Sequence, residues 1–428
     1  MQTRRCGGRG PAFVRLRRTT AGTASRAAEL RRSVVGSGPK GLLVLNVKRS
    51  PEILVFGAGN IGRGLLGELA ARAGRPVAFV EANIALAKQL VMAGGYRVRL
   101  AGQEPSVCEI TNYRVLTPND RETIAEAVAQ CDFAATAVGG ENLAAVACLL
   151  RDGIEKRTRP LNILVCENWP NGEQVLASAL SEQHVSPERY SCVPCSVARM
   201  VRSDGDSLNL VGESGESLLV DASRWKGDPP GIEGMIACDN LAPFYARKLY
   251  TSNAGHAVLA YHGFLAGYRF LYQALNDEAI LKQLTDSLTV AVAVLVREHA
   301  MDRGHLEEHV AHLLKYRFAS IDLADTVTRV ARQPLRKLGP KERLVGLMRL
   351  LEKHDMSPQP VLRTIAAALH YYDPADSECR QMRKMISTGG PGQVLAEICG
   401  MDRGERCFDQ CLLLYDEITD QRKGKREE

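Results

Sequence analysis

The run Ile53-Leu54-Val55-Phe56-Gly57-Ala58-Gly59-Asn60-Ile61-Gly62-Arg63-Gly64 passes from a four-residue apolar strand into a glycine turn and out into a helix. Leu65, Leu66, Leu69 and Ala70 follow at helical spacing, and Gly74 closes the segment as a C-cap. A second apolar strand, Val77-Ala78-Phe79-Val80, stops at Glu81. A lone GxGxxG is weak evidence; between a strand and a helix, with an acid ending the next strand, it is a dinucleotide fingerprint. Gly57 allows the tight turn, Gly59 lets a pyrophosphate approach the backbone, and Gly62 lets helix and strand pack closely. The cofactor-binding set is Phe56, Gly57, Ala58, Gly59, Asn60, Ile61 and Gly62, with Glu81 placed to accept from ribose hydroxyls. A carboxylate there repels a 2′-phosphate, so the expected cofactor is NAD. Arg63 keeps NADP admissible, and a glycine turn without ligand is the competing reading.

Outward from this unit the pattern repeats. Phe133–Val138 and Asn162–Cys166 read as further buried strands, with amphipathic helices near 121–129, 141–155 and 172–183 between them. Alternation of this kind implies an α/β Rossmann-type doubly wound parallel sheet. After residue 240 strands cease, and helices broken at Gly304, Gly339-Pro340, Pro358-Gln359-Pro360 and Gly389–Gly392 follow. The expected organisation is a basic extension over 1–50, a dinucleotide-binding domain over 51–240 and a mainly α-helical C-terminal domain over 241–428. The ligand is expected in the cleft between the last two.

The chain of 428 residues is 45% hydrophobic and 24% charged, ordinary composition for a globular protein. Residues 1–50 hold twelve Lys and Arg against Glu29; with a total of +6, residues 51–428 therefore carry −5. A folded part with no net basic charge argues against a nucleic-acid partner. No run of 18 apolar residues occurs, which argues against a membrane span. The Arg-rich arm resembles an organellar transit peptide in composition alone; it reads first as a disordered tail or translated upstream sequence. Twelve cysteines, scattered but for Cys192-Val193-Pro194-Cys195, point to reduced thiols inside a cell. That pair reads as a redox or zinc site, or as two small residues in a strand or turn.

Lys248-Leu249-Tyr250-Thr251-Ser252-Asn253-Ala254-Gly255-His256 carries the chemistry. At about 100° per residue on a helix, Lys248, Asn253 and His256 share an arc of about 140°. An amine can move a proton, an amide can donate to an alkoxide, and an imidazole can orient a substrate. Taken alone, the same residues make a polar helix face. His305-Leu306-Glu307-Glu308-His309 has the form of an inverted zinc-peptidase helix, but its charged amphipathic surroundings favour a solvated face.

These motifs occur in one order with Thr136-Ala137-Val138-Gly139, Cys166-Glu167-Asn168 and Gln333-Pro334-Leu335-Arg336-Lys337-Leu338. From residue 53 to about 418 the chain resembles the polyol-specific long-chain dehydrogenases, the mannitol dehydrogenase family. The resemblance implies hydride transfer between NAD and a sugar-alcohol carbon without a metal, here interconverting mannitol 1-phosphate and fructose 6-phosphate. It implies Lys248 as general base, Asn168 and Asn253 as oxyanion donors, and His256 as orienting imidazole. A substrate phosphate requires cations, for which Arg332, Arg336 and Lys337 are the first candidates and Arg199 the second; they read otherwise as surface charges. The resemblance also implies a cytoplasmic monomer, with organelle import the alternative. Ala198 and Ala246 stand where the family usually has carboxylates, which puts the identity of the polyol in question. Oxidation of unphosphorylated mannitol, reduction of a hexuronate, and a weakly catalytic NAD-binding sensor are the alternatives.

Overall fold

The computed structural model describes residues 52–427, except 103–104, 170, 206 and 215–217. The N-terminal arm and both readings of it lie outside the described residues. Ser50–Glu428 forms one compact unit. Strand β1 (Ile53–Phe56) is buried along its whole length. Ile53 and Val55 enter the core on one face of the sheet, Leu54 and Phe56 the core on the other. A strand covered on both faces has no polar side to show, which is why the sequence reads as an unbroken apolar run.

The remaining strands are β2 (Val77–Val80), β3 (Tyr96–Ala101), β4 (Ser106–Ile110), β5 (Tyr113–Leu116), β6 (Ala134–Thr136), β7 (Leu161–Val165), β8 (Tyr190–Val197), β9 (Val201–Ser203), β10 (Leu210–Glu213), β11 (Leu218–Asp221) and β12 (Met235–Cys238). The main sheet runs β12-β11-β8-β7-β6-β1-β2-β5. From β5 to β8 every pairing is parallel. This is the doubly wound order, reversing between β1 and β6, where such sheets open a crevice at their carboxyl ends. Beyond it, β11 is antiparallel to β8 and β12 parallel to β11.

A second sheet, β4-β3-β10-β9, was not expected from the sequence. It packs on the helix that follows the glycine turn: a Cβ on Gly64 would lie 2.4 Å from Val201 and 3.1 Å from Leu210. That helix is itself irregular, with Gly62–Gly67 in π-helical geometry before Glu68–Arg72 becomes α.

After Cys238 the described chain is helical apart from one isolated bridge, Phe270 to Thr326. Tyr261, Leu284, Val294, Phe318, Met348 and Ile365 centre its core. Glu278–His299 is long and apolar enough to cross a membrane by length and composition alone. Here its Ile280, Leu284, Leu288, Ala291 and Val294 fill that core, so it serves as the central helix of this half.

Candidate active site

The glycine turn has the shape a pyrophosphate needs. Gly57 has φ +93°, and a Cβ there would lie 2.4 Å from the Ala137 carbonyl; a Cβ on Gly62 would lie 1.9 Å from the Gly57 carbonyl. Over Gly59 there is open space within 4 Å. The first N–H groups of the following helix have no intrahelical acceptor and face an anion favourably. Glu81, buried at the end of β2, accepts from Ala58 N–H and from Asn83 N–H, each at 2.7 Å. Each of its oxygens keeps a further lone pair for a ribose hydroxyl. Arg63 turns inward beneath the loop, donating to the Ala58 carbonyl at 2.6 Å and the Leu208 carbonyl at 2.5 Å. The one cation of the turn is thus spent on the backbone, and the ribose side presents a carboxylate. These residues fit NAD, and they disfavour a 2′-phosphate.

Next along the carboxyl edge, Glu167 follows β7 and accepts from Val138 N–H and Gly139 N–H, both at 2.9 Å. It fixes the turn after β6 and shapes the bend that carries Asn168, which is exposed. Tyr245 ties the helical half to this edge: its hydroxyl donates to the Cys195 carbonyl on β8 at 2.8 Å, three residues before Lys248.

Lys248 and Asn253 bound a π-helical turn, Lys248–Asn253, set between α-helical Ala242–Arg247 and Ala254–Ala266. The uniform α spacing read from the sequence therefore does not hold: the turn contains an extra residue, and the angular relation of Lys248 to His256 is set by it. The Lys248 amine is lowered to about 8, by burial first and then by the Arg317 and Arg343 guanidinium groups. His256 is buried, and its Nδ1–H donates to the Ser252 carbonyl at 2.8 Å. Its Nε2 therefore carries the lone pair, 3.8 Å from an Asp325 oxygen. Burial, then Arg317, hold the imidazole well below its usual range, so it is neutral. Phe318 packs edge-on against it at 4.8 Å between centroids.

Arg317, Phe318, Asp325 and Arg343 were not found by sequence reasoning. They lie 69 to 95 residues beyond Lys248 with no motif around them, and only tertiary packing brings Arg317 and Arg343 to Lys248 and Phe318 and Asp325 to His256. Arg317 also reaches the sheet, donating to the Ala198 carbonyl at 3.4 Å and facing Glu213 at 3.4 Å.

The cations expected for a phosphate are divided. Arg332 and Arg336 are exposed, with the Arg336 guanidinium 3.3 Å from Glu342. Lys337 is buried and donates to the Val330 carbonyl at 2.6 Å and to the Arg332 carbonyl. Burial, followed by Arg343, Arg336 and Arg332, lowers its amine to about 7. Arg199 stands apart from this group, in a buried pair with Glu68 at 2.6 Å under the glycine-turn helix. Its guanidinium is 1% exposed, so it does not face a substrate.

His305 is exposed beside Asp302, whereas His309 turns in to the Thr251 hydroxyl at 3.1 Å, so the two histidines of that motif do not face a common point. Among the described residues no three His, Cys, Asp or Glu side chains gather to hold a metal. Cys192 and Cys195 lie on β8 as free thiols, and burial raises both.

Comparison with known proteins agrees with this arrangement. Residues 51–199 match the mannitol dehydrogenase Rossmann domain and residues 240–398 the mannitol dehydrogenase C-terminal domain. A mannitol-1-phosphate 5-dehydrogenase of Pseudarthrobacter chlorophenolicus is 34% identical over 376 residues, covering 85% of this chain and 96% of that protein. In fold the chain is similar to a D-sorbitol dehydrogenase (TM-score 0.73, 15% identity, 87% and 93% of the two chains covered). It is likewise similar to the mannitol 2-dehydrogenase of Pseudomonas fluorescens (TM-score 0.64, 16% identity, 87% and 92% covered). With both domains present in order and one-third identity over most of its length, the chain belongs to the mannitol dehydrogenase family.

Proposed function

We propose that this protein is an NAD-dependent oxidoreductase that interconverts mannitol 1-phosphate and fructose 6-phosphate without a metal, using Lys248 as general base. The observation that carries the reading is the Lys248 amine, lowered to about 8 by burial and by Arg317 and Arg343, the two guanidinium groups that also help keep His256 neutral, in a family whose chemistry is polyol oxidation. The phosphorylated substrate is supported by the name of the 34% identical relative.

NAD, when bound, supplies the hydride acceptor. The chain's own residues manage the proton and the charge. The neutral Lys248 amine accepts the proton of the reacting hydroxyl, and the amide groups of Asn168 and Asn253 donate to the oxygen as it becomes anionic. Fixed amide donors stabilise that charge without reorganising. The His256 Nε2 lone pair accepts from a neighbouring substrate hydroxyl and sets which carbon is presented. In the reverse direction Lys248 returns the proton to the reduced oxygen. For the phosphate, Arg317 and Arg343 stand nearest Lys248 in charge and Arg332 and Arg336 at the outer loop; a guanidinium fork suits a terminal phosphate. The reading extends to a cytoplasmic monomer without nucleic-acid or membrane partners.

The deciding experiment offers the purified enzyme fructose 6-phosphate, fructose and hexuronates with NADH. Fast turnover of fructose 6-phosphate alone is the expected result. Preference for free fructose or a uronate would transfer the protein to a sister activity, and NADH binding without any turnover would make it a sensor.

A further inference from the structure

The turn that presents Lys248 is not a regular helix, and something must hold it open. Ala254 N–H reaches back five residues to the Leu249 carbonyl, the signature of a π turn. Such a turn is less stable than α-helix and persists where side chains or packing support it. Converting it to α would remove one residue from the turn and swing Lys248 by roughly 100° relative to His256.

Two side chains occupy the turn. Thr251 is fully buried, and its hydroxyl donates to the Arg247 carbonyl, four residues back, at 2.6 Å. Back-bonding of this kind tilts a carbonyl outward and opens the helix locally. The hydroxyl has a single hydrogen, already given to Arg247. The 3.1 Å contact to His309 Nε2 is therefore donated by the imidazole. Burial, then Arg247 and Arg317, lowers His309 to about 3, so it stays neutral and keeps one N–H for this bond. The helix that carries it, Arg303–His312, is seated against the same turn: Leu306 and Val310 pack in one cluster with Ala246 and Tyr250.

We propose that Thr251 and His309 are positioning residues for the reaction: the chain from the His309 imidazole through the Thr251 hydroxyl to the Arg247 carbonyl keeps the Lys248–Asn253 turn π-helical. It thereby aims the Lys248 amine and the Asn253 amide at one substrate oxygen beside His256. This rests on the reading of Lys248 as base. The second histidine of the His305–His309 motif thus supports the site from behind and takes no part in a metal centre.

The test compares Thr251→Val, Thr251→Ser, His309→Leu, His309→Gln and Lys248→Ala in steady-state reduction of fructose 6-phosphate, with NADH affinity measured separately by fluorescence. Valine and leucine remove the bond at similar volume; serine and glutamine retain a donor or acceptor at the same place. Thr251→Val and His309→Leu should lower kcat by about 10- to 100-fold, the effect of a catalytic group displaced by about an ångström. NADH affinity should stay within about twofold, and the Ser and Gln variants should recover most of the rate. Wild-type kcat in both Thr251→Val and His309→Leu, alongside an inactive Lys248→Ala, overturns the positioning role and leaves the base assignment standing. An active Lys248→Ala overturns the base assignment itself. Equal losses in all four Thr251 and His309 variants, or a parallel loss of NADH binding, would mean general structural damage and also overturn the positioning role. If Thr251→Val does not fold, the His309→Leu and His309→Gln pair decides between the same outcomes.

Discussion

At the scale of single residues the proposed chemistry turns on two protonation states. Lys248 is charged in water at neutral pH, and a charged ammonium cannot accept a proton; burial with Arg317 and Arg343 alongside lowers it to about 8. His256 is pushed the same way, and its Nδ1–H is committed to the Ser252 carbonyl. The sign of the pH dependence follows. With Lys248 as the proposed base, oxidation of the polyol needs the neutral amine, so kcat/KM for mannitol 1-phosphate should rise tenfold per pH unit below about 8 and level off above it. His256 adds no limb in that range, because it is neutral throughout. A profile flat from pH 6 to 9 would contradict the assignment of Lys248 as the base. Ketose reduction needs the ammonium and should show the opposite slope.

At the scale of elements, the buried pair Arg199–Glu68 locks the end of the β8 connection to the glycine-turn helix, with side chains 1% and 0% exposed. Removing Arg199 takes the 2.6 Å partner from the buried Glu68 carboxylate and leaves Arg72, at 3.5 Å, to face it. Arg199→Met should therefore destabilise the fold by about 3–5 kcal/mol in denaturant melts, and the double variant Arg199→Met with Glu68→Leu should recover most of the loss. An Arg199→Met protein of wild-type stability with a raised KM for fructose 6-phosphate would return Arg199 to the substrate. The same pair shows where sequence reading stops. The β1–turn–helix unit was legible because its constraints are local, with Gly62 demanded by the Gly57 carbonyl of the same turn, and the buried strands because they are apolar on both faces. Lys248, Asn253 and His256 stand out in the sequence by residue type and by the family resemblance, but the π turn that sets their geometry does not: Thr251 and His309 are 58 residues apart, and the motif around His309 points to a metal helix and not to this bond. The sheet β4-β3-β10-β9 escaped for a related reason, since β3 and β10 pair across more than a hundred residues. Arg199 read as a free cation because its partner Glu68 sits 131 residues earlier.

At the scale of the whole molecule, the sheet supplies the dinucleotide end of the site and, in the proposed mechanism, the helices supply the proton-handling end. Tyr245 on Cys195 and Arg317 on Ala198 join the two along the carboxyl edge. Cofactor binding should stabilise the entire compact unit. NADH at about 100 times its Kd adds about 2.7 kcal/mol and should raise Tm by several degrees. NADPH should do much less, because Glu81 puts a carboxylate at the end of β2 and Arg63 is turned away beneath the loop; equal shifts from both cofactors would refute the proposed ribose-binding role of Glu81. The meeting of these two halves at one amine is tested most directly by the pH profile of kcat/KM for mannitol 1-phosphate oxidation in Lys248→Ala beside the wild type. The variant should bind NAD normally, turn over about 10²- to 10⁴-fold more slowly and lose the rise centred near 8. A variant that keeps both the wild-type rate and that rise would show that the proton leaves by another group.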